Sequence, residues 1–146
     1  MPKILLQRVN HASVTVGRET IGEIEHGVLL LVGFGRDDGV PDLERVANKI
    51  VNLRIFANED GRLDRSLLDV GGAILAVPQF TLYGETCKGR RPDFTRALEP
   101  VLAESRFESF VECLRRTPVA RVETGRFAAH MKVSLENDGP FTLMLE

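Results

Sequence analysis

Residues 28–34 read VLLLVGF, and this short apolar run decides the fold. An apolar run of this length, preceded by the turn residues His26 and Gly27, is typical of a strand buried at the centre of a sheet. Pro41 favours the start of a helix a few residues later. Apolar residues then recur at helical spacing, which predicts a helix over residues 41–54.

The rest of the chain reads mainly as further strands on both sides of this strand and helix. The predicted strands cover residues 4–9, 12–16, 20–24, 73–77, 119–123, 131–135 and 141–145. A second helix is predicted over residues 100–115, where the apolar residues share one face. Strands outnumber helices and most connections are short. The sequence therefore predicts an α+β fold, with a mainly antiparallel sheet or partly open barrel covered by two helices.

Length and charge limit the classes of protein that this sequence can be. A chain of 146 residues fits a single domain over residues 1–146. The net charge of -2 argues against a protein that wraps nucleic acid over many phosphates, so any contact with RNA is expected at a local patch. No signal peptide is recognisable, and the longest apolar run, residues 28–32, is far too short to span a bilayer. We therefore expect a cytoplasmic protein with no membrane partner.

The histidines and cysteines do not form the pattern of a metal centre. His11, His26 and His130 have no ligand spacing with each other or with the two cysteines, so we expect no metal and no cofactor. Two cysteines in a chain of this length do not make a disulfide framework. Cys87 lies in a basic loop, but a cysteine nucleophile also needs an adjacent base, and none is spaced near it.

Two features of the second half leave a structural and a functional interpretation open. Lys88, Arg90, Arg91 and Arg96 form a basic run in a chain that is acidic overall. This run is either a solvated loop or a patch that contacts phosphates. Residues 78–83 read PQFTLY, and their Gln and Thr either belong to the core or project into a cleft.

A third stretch, residues 137–142, reads NDGPFT and has the composition of a hairpin turn between two strands. On the residues alone, a turn is favoured over a site.

These segments together resemble the two signature motifs of the D-aminoacyl-tRNA deacylase family of bacteria and eukaryotes. The motifs are Gln79-Phe80-Thr81-Leu82 and the stretch over residues 137–142. Other segments match the family in the same order, at residues 7–9, 12–14, 66–72, 88–92 and 122–127. The family's first motif usually opens with Ser, where this chain has Pro78. A related branch of tRNA deacylases carries Pro there but Ala at the position of Phe80, so Phe80 keeps this chain with the D-specific group.

The resemblance implies an enzyme that hydrolyses the ester of D-aminoacyl-tRNA, and of glycyl-tRNA, in a proofreading step of translation. It implies a homodimer with two active sites at the subunit interface. Gln79, Phe80 and Thr81 would form the catalytic segment and line the pocket for the terminal adenosine and the ester. Gly139 and Pro140, joined by a cis peptide bond, would reach in from the other subunit and select the D-form.

The same resemblance gives roles to the remaining candidate residues. Asn137, Thr142 and Met131 would help to bind the substrate. The partner would be the 3′ adenosine and acceptor end of aminoacyl-tRNA, which Lys88, Arg90 and Arg91 would contact. Catalysis would depend on main-chain N–H groups and the 2′-hydroxyl of the substrate, because no base is spaced near Thr81. A non-catalytic RNA-binding module and a plain dimeric interaction domain stay as alternatives.

Overall fold

The computed structural model describes residues 1–146. Its strands are Lys3–Val16 (β1), Glu19–Ile24 (β2), Gly27–Gly33 (β3), Phe56–Ala57 (β4), Leu63–Arg65 (β5), Ala73–Pro78 (β6), Val122–Thr124 (β7) and Lys132–Leu145 (β8). Its α-helices are Leu43–Asn52 (α1), Leu67–Val70 (α2) and Pro100–Arg116 (α3), and a 3-10 helix spans Phe80–Tyr83.

Six of the strands form one sheet in the order β2-β1-β3-β6-β7, with β8 paired along β1. β1 is antiparallel to β2, β3 and β8, whereas β3, β6 and β7 run parallel. The sheet is therefore mainly antiparallel, as predicted, with a parallel part formed by β3, β6 and β7. This part is parallel because the chain crosses over through α1 and α3 between its strands.

The sheet curls into a nearly closed barrel, as the sequence predicted. β2 approaches β7 so closely that a Cβ on Gly22 would lie 2.9 Å from the carbonyl oxygen of Thr124. Seven buried apolar residues, among them Val14, Leu29 and Leu75, fill the inside of the curl. A larger cluster of 24 buried residues lies between the other face of the sheet and the helices.

The long helices confirm the two predictions made from periodicity. α1 begins at Leu43 rather than at residue 41, because the Asp42 side chain accepts a hydrogen bond from the Arg45 N–H at 3.1 Å and caps the helix. α3 begins with Pro100 at its first turn and buries Phe110 completely. α2 is a third, single-turn helix that the sequence analysis did not predict. None of the helices is long and apolar enough to cross a membrane.

β1 and β8 are each one long strand where the sequence predicted two short ones. The expected hairpin turn at Asp138-Gly139-Pro140 is wrong, since the chain does not reverse there. On β8, Asn137 and Thr142 pair with β1 residues that are only two positions apart, Val9 and Gln7. The residues between them bulge out of the ladder, and β8 then continues in the same direction. We call residues 138–141 the β8 bulge.

Candidate active site

Gln79, Phe80 and Thr81 lie where β6 ends and the 3-10 helix begins. The Gln79 N–H donates to the carbonyl oxygen of Val32 at 2.8 Å, which fixes the segment to the sheet. The first hydrogen bond inside the 3-10 helix runs from the Leu82 N–H to the Gln79 carbonyl, at 3.4 Å. The N–H groups of Phe80 and Thr81 therefore have no acceptor within their own helix and are available to a ligand.

The Thr81 hydroxyl is exposed and accepts a hydrogen bond from the Gln79 side-chain amide. No histidine or carboxylate hydrogen-bonds to this hydroxyl. Thr81 therefore lacks the base that a threonine nucleophile requires.

Tyr83 anchors the 3-10 helix to the sheet. Its ring is 4% exposed and lies against the end of β3, where a Cβ on Gly33 would come within 3.3 Å of the ring. Its hydroxyl donates to the Asp38 carboxylate, which joins the 3-10 helix to the loop after β3. Burial, and then this hydrogen bond, raise the pKa of the Tyr83 hydroxyl, so it stays a donor at physiological pH.

An apolar cavity of about 410 Å³ opens beside the 3-10 helix. Its apolar lining includes Pro78, Phe80, Phe94, Leu98, Ala103 and Phe127. Phe80 is 55% exposed, and its ring meets Phe94 edge to face with centroids 5.2 Å apart. Exposed aromatic faces around a cavity of this size suit a flat heteroaromatic ligand such as a nucleobase.

A second cleft, of about 490 Å³, runs along α3 and is lined by Glu104, Glu108 and Glu112. Arg115 and Arg126 also line this cleft, but the three carboxylates outnumber them and disfavour a phosphate-bearing ligand, so we do not assign it to the site.

Met131 lies immediately before β8 and close to Pro78 at the end of β6. Its sulfur accepts a hydrogen bond from the Arg126 N–H at 3.4 Å. A Cβ on Gly125 would lie 2.7 Å from this sulfur and 3.5 Å from Pro78, so the missing side chain of Gly125 makes room for Met131 beside β6. The structure thus brings Met131 close to the segment of Gln79, Phe80 and Thr81.

The β8 bulge holds the second group of predicted site residues. The Asn137 side chain closes it, accepting from the Phe141 N–H at 2.7 Å and donating to the Thr142 hydroxyl at 3.0 Å. Gly139 and Pro140 are exposed at its tip, and the peptide bond between them is cis, as the family resemblance implied. Gly139 has a φ of 136°, a conformation that residues with side chains rarely adopt.

Arg8 holds the bulge against β1, and the sequence analysis did not select it. Its Nε donates to the Asp138 carbonyl at 3.0 Å, and its Nη1 donates to the Ile55 carbonyl at 2.6 Å. Its guanidinium also lies 4.9 Å from the centre of the Phe141 ring. A signal was present in the sequence, because the apolar residues Leu6 and Val9 are three positions apart and do not fit strict alternation. In the structure both are fully buried, and the alternation of β1 breaks at Arg8.

The two groups of site residues are separated within one chain. Pro78 pairs with Val32, Val32 with Ile4, and Ile4 with Leu145, which defines one row across the sheet. The β8 bulge lies opposite Arg8, four residues further along β1 than this row. At about 3.3 Å per residue and about 4.8 Å per strand, the bulge and the end of β6 are on the order of 15–20 Å apart.

The basic loop lies next to the apolar cavity. Glu85 and Asp93 close its base with two backbone hydrogen bonds of 2.8 and 2.9 Å, which leaves residues 86–92 as the tip. Lys88, Arg90 and Arg91 lie in this exposed tip and form no ion pair. Arg96, in contrast, pairs with Glu85 at 2.8 Å, so it braces the loop rather than adding to its free positive charge.

The histidines and cysteines do not gather at the site. No group of three or more histidine, cysteine or acidic residues could hold a metal ion. Both cysteines are free, and Cys113 is buried. Burial raises the pKa of the Cys113 thiol, which disfavours the reactive thiolate.

Comparison with known proteins gives the family of this chain. A family model described as D-Tyr-tRNA(Tyr) deacylase matches residues 5–146. A protein of Chloroherpeton thalassium named D-aminoacyl-tRNA deacylase is 56% identical over 144 residues, which are 99% of this chain and 95% of that protein. One of the same name from Brevibacillus brevis is 51% identical and is covered over 99% of both lengths.

Two solved structures share the fold. One, described as c-Myc DNA Unwinding Element Binding Protein, has a TM-score of 0.88 and 42% identity, covering 99% of this chain and 97% of the other. The second, described as a probable eukaryotic D-amino acid tRNA deacylase, has a TM-score of 0.84 at 20% identity, with 99% and 98% covered. The sequence comparisons define a class of tRNA deacylases, and the solved structures show that the fold is shared. The chain belongs to the D-Tyr-tRNA(Tyr) deacylase family.

Proposed function

We propose that this protein is a D-aminoacyl-tRNA deacylase. It hydrolyses the ester between a D-amino acid and the terminal ribose of tRNA, and thereby removes amino acids of the wrong hand before translation uses them. The observation that carries the proposal is the full-length match to curated relatives of that name, at 56% identity over 144 residues. The direct test is release of amino acid from D-tyrosyl-tRNA by the purified protein.

The apolar cavity is the proposed pocket for the terminal adenosine. The exposed faces of Phe80 and Phe94 offer a stacking surface for the adenine ring. The ester, attached to the ribose, then lies at the start of the 3-10 helix beside Gln79 and Thr81. The cavity needs no metal or cofactor for this role, because an aminoacyl ester is already activated.

Hydrolysis in this pocket would proceed through main-chain atoms. Water adds to the ester carbonyl, and the free N–H groups of Phe80 and Thr81 stabilise the negative charge that develops on its oxygen. The bond from the carbonyl carbon to the ribose 3′-oxygen then breaks. The water's proton passes to that oxygen through the adjacent 2′-hydroxyl, which leaves free amino acid and tRNA. Thr81 lines the pocket in this scheme and does not attack the substrate.

A homodimer would unite the two separated groups of site residues. The β8 bulge and the end of β6 are too far apart to act together within one chain, so a second copy is required to complete the site. The face of the sheet between them carries the half-buried Leu5 and Leu31 and the exposed Met144, and no helix covers it. The outer edge of the long strand β8 is also unpaired. Two-fold packing of this face would bury both features and bring Gly139 and Pro140 to the partner's Phe80.

Mixing two inactive variants tests the shared site. Phe80→Ala should disable the pocket, and Arg8→Ala should displace the bulge. If each site combines one chain's pocket with the other chain's bulge, random reassortment of the two variants should restore about a quarter of the wild-type sites. Either variant treated alone in the same way is the control. A mixture that stays inactive although co-purification of one variant with the affinity-tagged other shows mixed dimers would refute the shared site. So would light scattering that shows a monomer at micromolar concentration.

The basic loop is the proposed contact for the acceptor end of tRNA. Lys88, Arg90 and Arg91 are free of acidic partners and lie beside the adenosine pocket, so they can meet phosphates that precede the terminal nucleotide. The net charge of -2 is consistent with such a local contact.

Replacing both Arg90 and Arg91 with Ala should weaken tRNA binding and flatten its dependence on salt. Each lost phosphate contact should reduce the slope of log K against log salt by about 0.7 to 0.9. Fluorescence anisotropy with labelled tRNA at several salt concentrations measures this slope. Arg96→Ala is the comparison, because Arg96 is already paired with Glu85 and should change the slope less. An unchanged slope in the double variant would place the tRNA elsewhere.

Binding of nucleic acid without catalysis is the second candidate function, since a relative at 42% identity is described as a DNA-element-binding protein. Hydrolysis of D-aminoacyl-tRNA by the pure protein separates the two, because a binding module would retain the tRNA without releasing amino acid. As a tRNA-acting enzyme of one domain, the protein is also proposed to work in the cytoplasm.

A further inference from the structure

Arg36 lines the apolar cavity beside the 3-10 helix. It belongs to the stretch Gly33-Phe34-Gly35-Arg36, which the catalytic scheme above does not use. Its side chain is exposed and forms no ion pair and no hydrogen bond with the protein. A free guanidinium beside an aromatic pocket is suited to an anionic group attached to the ring that fills the pocket.

The backbone around Arg36 is held firmly in place. Its N–H donates to the Arg96 carbonyl at 2.9 Å, and Gly35 pairs with Ala97 across an isolated bridge. Two residues later, Asp38 accepts the hydrogen bond from Tyr83. The loop that carries Arg36 is therefore tied to both walls of the cavity, so the guanidinium needs little reorganisation before it binds a ligand.

Charged residues of both signs surround Arg36. Glu99 lines the same cavity and carries the opposite charge. Asp37 adjoins Arg36 in sequence, and the carboxylate of Asp38 is engaged by Tyr83. Arg36 is thus the one cation that lines the cavity itself.

We propose that Arg36 binds the phosphate on the 5′ side of the terminal adenosine, so that the cavity recognises a nucleotide rather than a bare nucleoside. The inference rests on the proposed function, in which the adenine ring fills the cavity and the 3′ ester lies at Phe80 and Thr81. Because the 5′ and 3′ sides of a ribose point in different directions, the 5′ phosphate lies at a part of the cavity other than Phe80 and Thr81, and Arg36 is the cation that lines the cavity.

Binding of adenosine, adenosine 5′-monophosphate and inorganic phosphate to the purified protein tests this proposal. At low salt the monophosphate should bind about three- to tenfold more tightly than adenosine, as expected for a partly exposed charge-assisted contact. Arg36→Ala should abolish this preference without changing the affinity for adenosine. Glu99→Gln should enlarge the preference, since it removes the opposing charge. Arg45→Ala, at an exposed and unpaired arginine of α1, is the matched control and should change neither affinity.

Three results would overturn the inference. The first is equal affinity of the wild type for adenosine and the monophosphate. The second is an Arg36→Ala variant that loses affinity for both ligands equally. The third is inorganic phosphate that binds as tightly as the monophosphate and through Arg36, which would mark a simple anion site. Failure of the proposed function is separate: it is the absence of deacylation, whichever nucleotide binds.

Discussion

Purified protein should release tyrosine from D-tyrosyl-tRNA and leave L-tyrosyl-tRNA intact, with kcat/KM values that differ by about 10⁴-fold, or roughly 5.5 kcal/mol. The reason is the β8 bulge, which presents the exposed backbone of Gly139 and Pro140. If this backbone meets the α-amino group of the substrate, it fills the space that an L side chain would need. A D side chain points away from it. Selection then works by excluding the wrong hand.

Exclusion has two consequences that can be measured in the same assay. The enzyme makes few contacts with the D side chain, so D-aspartyl-tRNA and D-tyrosyl-tRNA should be cleaved at similar rates. Glycine has no side chain to exclude, so glycyl-tRNA should also be cleaved to some degree. Equal hydrolysis of both hands, or of neither, would refute the assignment. Wholly inert glycyl-tRNA would refute exclusion as the mechanism but not the activity.

Pro140→Ala tests whether the bulge carries the selection. Loss of the ring frees the backbone of the tip, so cleavage of L-tyrosyl-tRNA should rise relative to that of D-tyrosyl-tRNA. Pro118→Ala, at an exposed proline after α3, is the matched control and should leave the ratio unchanged. A Pro140→Ala variant that folds and keeps full activity and full rejection of the L-form would show that the bulge is only a connection.

Arg8→Ala should lower kcat/KM for D-tyrosyl-tRNA by about 100-fold or more, because a displacement of the bulge by about 1 Å is enough for such a loss. Arg8 is the side chain that ties Asp138 and Phe141 to β1 and to the Ile55 carbonyl. Its removal leaves two partly buried carbonyls without their donor, which should lower the free energy of unfolding by about 1–3 kcal/mol.

The ratio of D to L cleavage separates a positioning role from a loss of stability. A protein that is merely less stable loses activity on both substrates equally, whereas a displaced bulge should also reduce the ratio. Arg8→Lys should rescue little, since one ammonium group cannot reproduce the two directed contacts and the stacking of a guanidinium. Arg116→Ala, which breaks an exposed ion pair with Glu44, is the control for the loss of an arginine. An Arg8→Ala variant with wild-type rates and ratio would contradict this role.

Much of the fold could be predicted from periodicity, because the helices and the central strand are amphipathic or apolar over their whole length. α1, β3 and α3 follow this rule, and their predicted and observed bounds differ by at most two residues. The bulge could not be predicted, since NDGPFT has the composition of a turn and only the pairing of Asn137 with Val9 shows that β8 continues. The direction of β6 was equally hidden, because a buried strand has the same sequence pattern in parallel and antiparallel sheets.

The candidate site was predictable where the family motifs name the residues and not where function depends on tertiary contacts. Phe80 and Pro140 come from such motifs. The roles of Arg8 and Arg36 come from the structure, which shows that one of these arginines holds a backbone and the other is free at a cavity rim. In sequence, the break in the alternation of β1 marks Arg8 without revealing its partners, and Arg36 is an ordinary charged residue after a strand.

The pairing of β1 with β8 has a consequence for how the protein is made. Ile4 pairs with Leu145, so β1 meets β8 only after the long stretch of chain between them has been synthesised. Pairings between opposite ends of a chain raise its contact order and slow folding, because the closure of a long loop costs entropy before any contact forms. Until then the nascent chain exposes one edge of β1, its longest strand together with β8. We therefore expect correct folding of this proofreading enzyme to depend on protection of that edge while the chain is being synthesised.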